Sequence, residues 1–434
     1  MRREENKKIK SYSLGCKVNQ YDGNYLAGVI SSRFGLAKLA KENREKADFV
    51  IINTCAVTCS AVAKSRKMIK KAGKENPGAK IYATGCGCQV YPEEFDELKS
   101  KRIAICSVEY QNYEDIAEEA ANYFELGGRT RKKEKFLAET GRSRYFLKIQ
   151  DGCNQFCSYC IVPFARKHVR SRNMPEVVEE AKNCEDYGYE EIVLTGTHIG
   201  KYGREEKNGI DLVVLMNKIL QNTSKTRIRL SSIEINEISE DLLRLMQSSK
   251  RICRHLHIPL QSGSDKILKK MKRPYCASFY KRTIQKIKRR MPDICLTTDV
   301  IAGFPSESGT DFKLSYAVCE ELGFAKIHVF NYSEHKKTAA SMIEGKVDEE
   351  TKKERADLMR KLSEKERNRY LSGIESQELE LIMEKNSPNK DQFVGKSQYY
   401  FDVAASRGNF RQGCNRLPGK RFIYPFRKER DLIF

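Results

Sequence analysis

Residues 9–14 (IKSYSL) alternate apolar and polar side chains and stop at Gly15-Cys16, which is the period of a half-buried strand. A helical pattern follows over about residues 24–34. Residues 49–52 (FVII) form a continuous apolar run that leads into Asn53-Thr54-Cys55, as a fully buried strand would. A second helical pattern spans about residues 61–72 and stops near Asn76-Pro77-Gly78. Residues 80–84 (KIYAT) predict a third strand, ending at Gly85-Cys86. The order strand–helix–strand–helix–strand predicts a parallel sheet, and such sheets gather their chemistry at the carboxyl edge. Cys16, Cys55 and Cys86 each lie just past a strand end, so three thiols distant in sequence are expected to converge there.

After this first domain (residues 1–126) comes a polar, basic stretch, residues 127–143, with the composition of a linker. Strands and helices then alternate again. The strand candidates are residues 145–149, 191–195, 227–231, 255–259, 295–300 and 326–330, and a charged helix closes the series at 354–370. Six such units predict a partial or complete βα barrel over residues 144–371, with its chemistry on the loops after the strands. Residues 372–434 change character, with short strands at 378–383 and 398–403, and read as a small all-β domain. The fold class is α/β: a Rossmann-like parallel sheet, a βα barrel and a β module.

Charge narrows the partners. Eighty Lys and Arg against 58 Asp and Glu leave +22, which favours a polyanion because each phosphate neutralised releases condensed counterions. The basic residues cluster in GRTRKKEK (128–135) and ARKHVRSR (165–172). A generally basic proteome and solvated charged faces are the bland alternatives. No apolar run is long enough to span a bilayer, and no signal-like stretch follows the basic start, so the expected compartment is the cytoplasm.

Fifteen cysteines without secretory features argue for thiolates kept reduced as metal ligands. Cys184, Cys276 and Cys319 fall in helical patterns, where a small buried hydrophobe is expected. Cys106, Cys253, Cys295 and Cys414 have no ligand-like spacing. Directly after the first barrel strand stands GCNQFCSYC, with Cys153, Cys157 and Cys160. Three thiolates can hold three corners of a [4Fe–4S] cube and leave one iron open. A zinc site would want a fourth ligand nearby, for which His168 is available.

This loop, with Tyr159 before its last cysteine, resembles the cluster loop of the radical S-adenosylmethionine (SAM) superfamily. The resemblance implies that SAM binds the open iron and is split to a 5′-deoxyadenosyl radical. It also implies SAM contacts from Tyr159, from Thr195 and Gly196 after the second strand, from Ser232 and Glu234 after the third, and from Asp299 and Gly303 in DVIAGFP (299–305). With three cysteines ahead of the barrel, the chain is similar to the methylthiotransferases, whose carboxy-terminal β-barrel is called TRAM. That family would place a second [4Fe–4S] cluster on Cys16, Cys55 and Cys86. One SAM would supply a methyl group and another the radical, with electrons from a donor such as flavodoxin or ferredoxin. The resemblance identifies no catalytic side chain beyond these ligands.

Three signatures resemble the branch acting on threonylcarbamoyladenosine beside the tRNA anticodon: GCKVNQYD (15–22), IVPFARKHVRSR (161–172) and LTGTHIGKYG (194–203), which carries His198. On that resemblance the partner is tRNA, with Arg166, Arg170 and Arg172 near the substrate, and the protein is a monomer without a membrane. Lys167 stands where the family usually has Gly, and Ile235 where it has Pro. The competing readings are isopentenyladenosine in tRNA or a ribosomal protein as substrate, and a basic RNA-binding protein with structural zinc.

Overall fold

The computed structural model describes residues 7–39, 45–106, 113–126, 143–205, 209–384, 392–406 and 421–426. All of the basic linker (127–143) but its last residue, its cluster 128–135 and Cys414 lie outside them. The chain forms two compact units. The first is Met1–Gly141 with Asp151–Phe156 and Cys160–Arg170; the second is Arg142–Gln150, Cys157–Tyr159 and Ser171–Phe434.

In the first unit the order is β1 (Lys8–Ser13), α1 (Lys17–Phe34), β2 (Ala37–Lys38), β3 (Phe49–Thr54), α2 (Cys59–Glu75), β4 (Lys80–Gly85), α3 (Cys86–Val90), α4 (Pro92–Asp96), β5 (Ile103–Ile105) and α5 (Tyr113–Tyr123). The strands form one parallel sheet in the order β2-β1-β3-β4-β5. Both faces are covered. Val50, Ile52, Ile81 and Ala83 pack with Val62 and Ile69 of α2. Ile9, Ile51 and Tyr82 pack with Leu26 and Ile30 of α1 and with Ile116 of α5. That is why FVII reads as unbroken rather than alternating.

Helix α1 starts seven residues before the expected position, straight after its N-cap Cys16. Its first turns look polar, but Asn19, Asp22 and Gly23 are buried. Gly23 lies so close to β1 that a Cβ there would be 2.1 Å from Ser13 Oγ.

The second barrel-like region runs β6 (Tyr145–Asp151), α6 (Val162–Ala165), β7 (Arg170–Ser171), α7 (Met174–Asp186), β8 (Glu191–Gly196), α8 (Leu212–Asn222), β9 (Arg227–Leu230), α9 (Glu240–Ser248), β10 (His255–His257), α10 (Asp265–Lys270), α11 (Ala277–Arg290), β11 (Cys295–Ala302), α12 (Gly309–Leu322), β12 (Lys326–Asn331) and α13 (Glu349–Gly373). Two sheets, β7-β6-β8-β9 with β6, β8 and β9 parallel and β10-β11-β12 all parallel, continue into one another through the parallel bridges Ile228–Ile252 and Ser232–His257. Among the described residues β12 has no ladder to β6, so the six expected strands make the partial form of the barrel. Serine and aspartate caps set the helix starts. Ser308 and Asp311 make a reciprocal capping box at α12, and Asp348 caps α13.

The carboxy-terminal sheet is antiparallel, order β15-β14-β13-β16, from β13 (Glu378–Met383), β14 (Gln392–Ser397), β15 (Asp402–Ser406) and β16 (Arg421–Pro425). The strand expected at 398–403 is instead a hairpin turn with a short entry to β15. Tyr400 takes φ +71° and donates its backbone N–H to the Ser397 carbonyl. The aromatic run in QYYFDV resembles a strand because its three aromatics turn inward. Tyr399 and Phe401 join the core with Leu379 and Tyr424, and Tyr400 stacks on His255 at 4.6 Å.

Candidate functional site

At the amino-terminal sheet, register decides convergence. Ser13 pairs with Asn53, Asn53 with Thr84, and Thr54 with Gly85. Cys16, Cys55 and Cys86 therefore leave one edge from three adjacent strands. A Cβ on Gly15 (φ +90°) would sit 2.5 Å from Cys55 Sγ, so only glycine gives Cys55 its place beside Cys16. Asn19 pins the edge: its Nδ2 donates to the carbonyls of Leu14 and Thr54 at 2.8 and 2.7 Å, and Cys86 Sγ donates to its Oδ1 at 3.5 Å. Burial first, then the neighbouring Cys16 and Cys86 sulfurs, push the Cys55 thiol up to about 12 against an opposing backbone hydrogen bond at Val57. Burial also raises the Cys86 thiol, against the Arg166 guanidinium beside it.

The neighbouring cysteines sort themselves. Cys88 lies in the apolar core, accepts from Thr54 Oγ1 at 3.4 Å, and burial pushes it to about 12. Cys59 is exposed on the first turn of α2. Cys184 and Cys319 are buried in helices as expected, and Cys106, Cys253 and Cys295, which have no ligand-like spacing, are buried as well. Cys276 differs from its expected place inside a helix: it is the N-cap of α11 and partly exposed.

The second cysteine loop follows β6. Gly152 takes φ +77°, and a Cβ there would lie 2.0 Å from the His168 carbonyl oxygen, so the chain can enter the loop only through glycine. Cys153, Cys157 and Cys160 are each partly exposed. Ser158 is held by its N–H to Met271 O at 3.0 Å and its Oγ to Lys270 O at 2.8 Å. Tyr159 packs against Ile267, Met271 and Phe304. Arg273 donates to Cys157 Sγ at 3.3 Å and is ion-paired with Glu234. Sequence reasoning missed Arg273, which lies outside every quoted motif; the pair with Glu234 exists only once β9 and the turn after α10 are neighbours.

The remaining expected SAM contacts stand at the carboxyl ends of barrel strands. Thr195 and Gly196 end β8. Ser232 bridges to His257, and His257 Nε2 is 3.1 Å from Asp299 Oδ2 in β11. Gly303 follows β11 with φ +73° and donates its N–H to Glu307 at 2.8 Å. His198 is buried, its Nε2 2.6 Å from Glu237 Oε1.

The three arginines part company. Arg166, expected beside the substrate, is buried: its side chain is 4% exposed and pairs with Asp22 at 2.6 Å and Asp151 at 2.8 Å. Both of its terminal nitrogens donate to protein oxygens. Arg172 pairs with Glu180 at 2.7 Å, and Arg170 is partly exposed in β7. A further feature has no sequence signal. Phe156 and Phe164 are 51% and 36% exposed and meet edge to face at 6.1 Å, with Lys167 and His168 exposed nearby in the chain.

Among the described residues no three His, Cys, Asp or Glu side chains are already drawn in to hold a bare metal ion. The donor chemistry fits a cluster: each set is three soft thiols, one gathered at a single sheet edge and one in a single loop, without a carboxylate or imidazole completing it. Residues 147–317 match the model of the radical SAM superfamily, and residues 8–107 that of uncharacterized protein family UPF0004. The chain is 36% identical over 407 residues to threonylcarbamoyladenosine tRNA methylthiotransferase MtaB of Bacillus subtilis (strain 168), covering 91% of this chain and 89% of that protein. It is 31% identical over 353 residues to tRNA-2-methylthio-N(6)-dimethylallyladenosine synthase of Clostridium perfringens, covering 79% and 78%. The solved structure of the radical SAM methyltransferase TsrM from Kitasatospora setae shares the fold with a TM-score of 0.55 at 12% identity, over 78% of this chain and 77% of that one. Two cysteine sets, a parallel-strand barrel and these relatives lead to one assignment: the chain belongs to the radical SAM methylthiotransferases and is an enzyme of that class.

Proposed function

We propose that the substrate is tRNA and the product the 2-methylthio derivative of N6-threonylcarbamoyladenosine beside the anticodon. The observation that carries the substrate is the higher identity to the threonylcarbamoyladenosine relative, 36% against 31%, together with the GCKVNQYD and LTGTHIG signatures. In this reading Cys153, Cys157 and Cys160 hold one [4Fe–4S] cluster, and Cys16, Cys55 and Cys86 hold a second. When bound, the first cluster would supply the electron that splits one SAM to the hydrogen-abstracting radical, the second would supply or carry the sulfur, and another SAM would supply the methyl group.

The chain's own residues orient these parts. Tyr159, Thr195, Gly196, Ser232, Glu234, Asp299 and Gly303 would hold SAM, and Arg273 holds Glu234 and Cys157 in register. An unpaired anticodon-loop base suits a reader that stacks the base and grips phosphates. Phe156 and Phe164 offer the stacking face, and Lys167 and Arg170 the cationic partners. The electron donor is a flavodoxin or ferredoxin, and the enzyme works as a cytoplasmic monomer. Among the described residues no helix is long and apolar enough to cross a membrane.

The test is a nucleoside digest of tRNA from cells with and without the gene, read by mass spectrometry. Methylthio-threonylcarbamoyladenosine should vanish on deletion and return with the wild type but not with Cys157→Ala. Loss of the methylthio-isopentenyladenosine peak instead would move the substrate to the branch of the 31% relative. Unchanged tRNA would sink both.

A further inference from the structure

One buried cation serves both ends of the first unit's chemistry. Arg166 Nη1 donates to both oxygens of Asp151 at 2.8 and 2.9 Å, one residue before Gly152-Cys153. Its carbonyl accepts from the Cys153 N–H at 3.3 Å. Nη2 donates to Asn19 Oδ1 at 2.9 Å and Asp22 Oδ2 at 2.6 Å, both on the helix that Cys16 caps. The guanidinium also hydrogen-bonds Cys86, the residue after β4. Every one of these groups lies within the first compact unit.

We infer that Arg166 is a positioning residue that fastens the start of the radical SAM loop to the amino-terminal thiols and tunes the charge felt by the ligand set Cys16, Cys55 and Cys86. This rests on the proposed reading that those thiols hold a cluster. A thiolate-ligated cluster gains negative charge on reduction, and a buried cation hydrogen-bonded to one ligand stabilises that reduced state. Asp22 and Asp151 face the same guanidinium and temper it. Arginine is suited to this work because its planar fork reaches three elements at once, which a lysine's single ammonium cannot.

The experiment uses the full-length chain carrying Cys153→Ala, Cys157→Ala and Cys160→Ala, reconstituted anaerobically with iron and sulfide, so that only the amino-terminal set remains. Its midpoint potential is read by redox titration followed by electron paramagnetic resonance. Arg166→Gln should lower the potential by at least a tenfold shift in the one-electron equilibrium, about 59 mV. Arg166→Lys, which keeps the charge, should recover most of it. Asp22→Asn, which leaves the cation and removes a counter-charge, should move the potential the opposite way, a result that simple loosening of the fold does not produce. Iron bound normally with equal potentials in wild type and Arg166→Gln would overturn the role of Arg166 alone. No iron in the triple-alanine chain would overturn the two-cluster reading and this inference together.

Discussion

Glu191 has no exposed side-chain surface and sits at the first position of β8, 2.6 Å from Arg227 Nε and 2.7 Å from Arg229 Nε. Burial alone would raise its carboxyl; Arg229 and Arg227 outweigh that and hold it well below the usual carboxylate range. Removing one partner of such a buried set leaves the others uncompensated, so Glu191→Gln should cost about 3–5 kcal/mol by denaturant titration. The sign with pH follows from linkage. A depressed folded pKa contributes stability that is present above the unfolded value of about 4.3 and is lost as pH falls toward the folded one. The gap between wild type and Glu191→Gln should therefore narrow below about pH 4. Glu185 behaves alike on a smaller scale: burial opposes its charge, but the backbone N–H groups of Ser224, Thr226 and Lys225 hold it at about 2. None of this was legible in RIRL, which alternates like any strand. Whether its arginines face solvent or a buried carboxylate depends on what covers the strand.

At the scale of elements, the turn entering the cysteine loop is the most constrained piece. Gly152→Ala would place a methyl group in the His168 carbonyl and force an L-residue to φ +77°. The backbone strain alone is of order 1–3 kcal/mol. The expected outcome is a loss of about one cluster's iron from the reconstituted protein, measured by colorimetric iron and sulfide, while the other cysteine set still loads. Strand positions were readable here because apolar runs and Gly-Cys stops are local. The start of α1 was not, since Asn19, Asp22 and Gly23 are kept helical by contacts to β1, Thr54 and Arg166. The 398–403 turn differs from a strand for the converse reason: a run of aromatics describes burial, and burial there comes from a turn folded over the barrel strands. Arg227 and Arg229 donate to the carbonyls of Glu380, Lys396, Ser397 and Gln398, fixing that sheet to the amino-terminal ends of β8 and β9.

The whole molecule carries +22, and its binding to tRNA should weaken steeply with salt. Two kinds of variant separate grip from reading. Arg170→Gln should reduce the slope of log K against log salt by about one phosphate's worth, with similar loss on any RNA. Phe156→Ala with Phe164→Ala should leave the slope unchanged and cost about 1–3 kcal/mol, the worth of one stacked base. Filter binding at several salt concentrations checks both. A loss of slope in the phenylalanine variant would mean that the aromatic pair acts by shaping the basic rim and not by stacking.

By itself the sequence determined the parallel-sheet class and the six barrel strands, because period and turn residues are properties of short segments. Only the tertiary structure decided what Arg166, Arg273, Glu191 and the exposed Phe156–Phe164 pair do. Charges and aromatics acquire their roles from neighbours dozens to hundreds of residues away. A guanidinium in ARKHVRSR looks like every other until Asp22, Asp151 and Cys86 close around it.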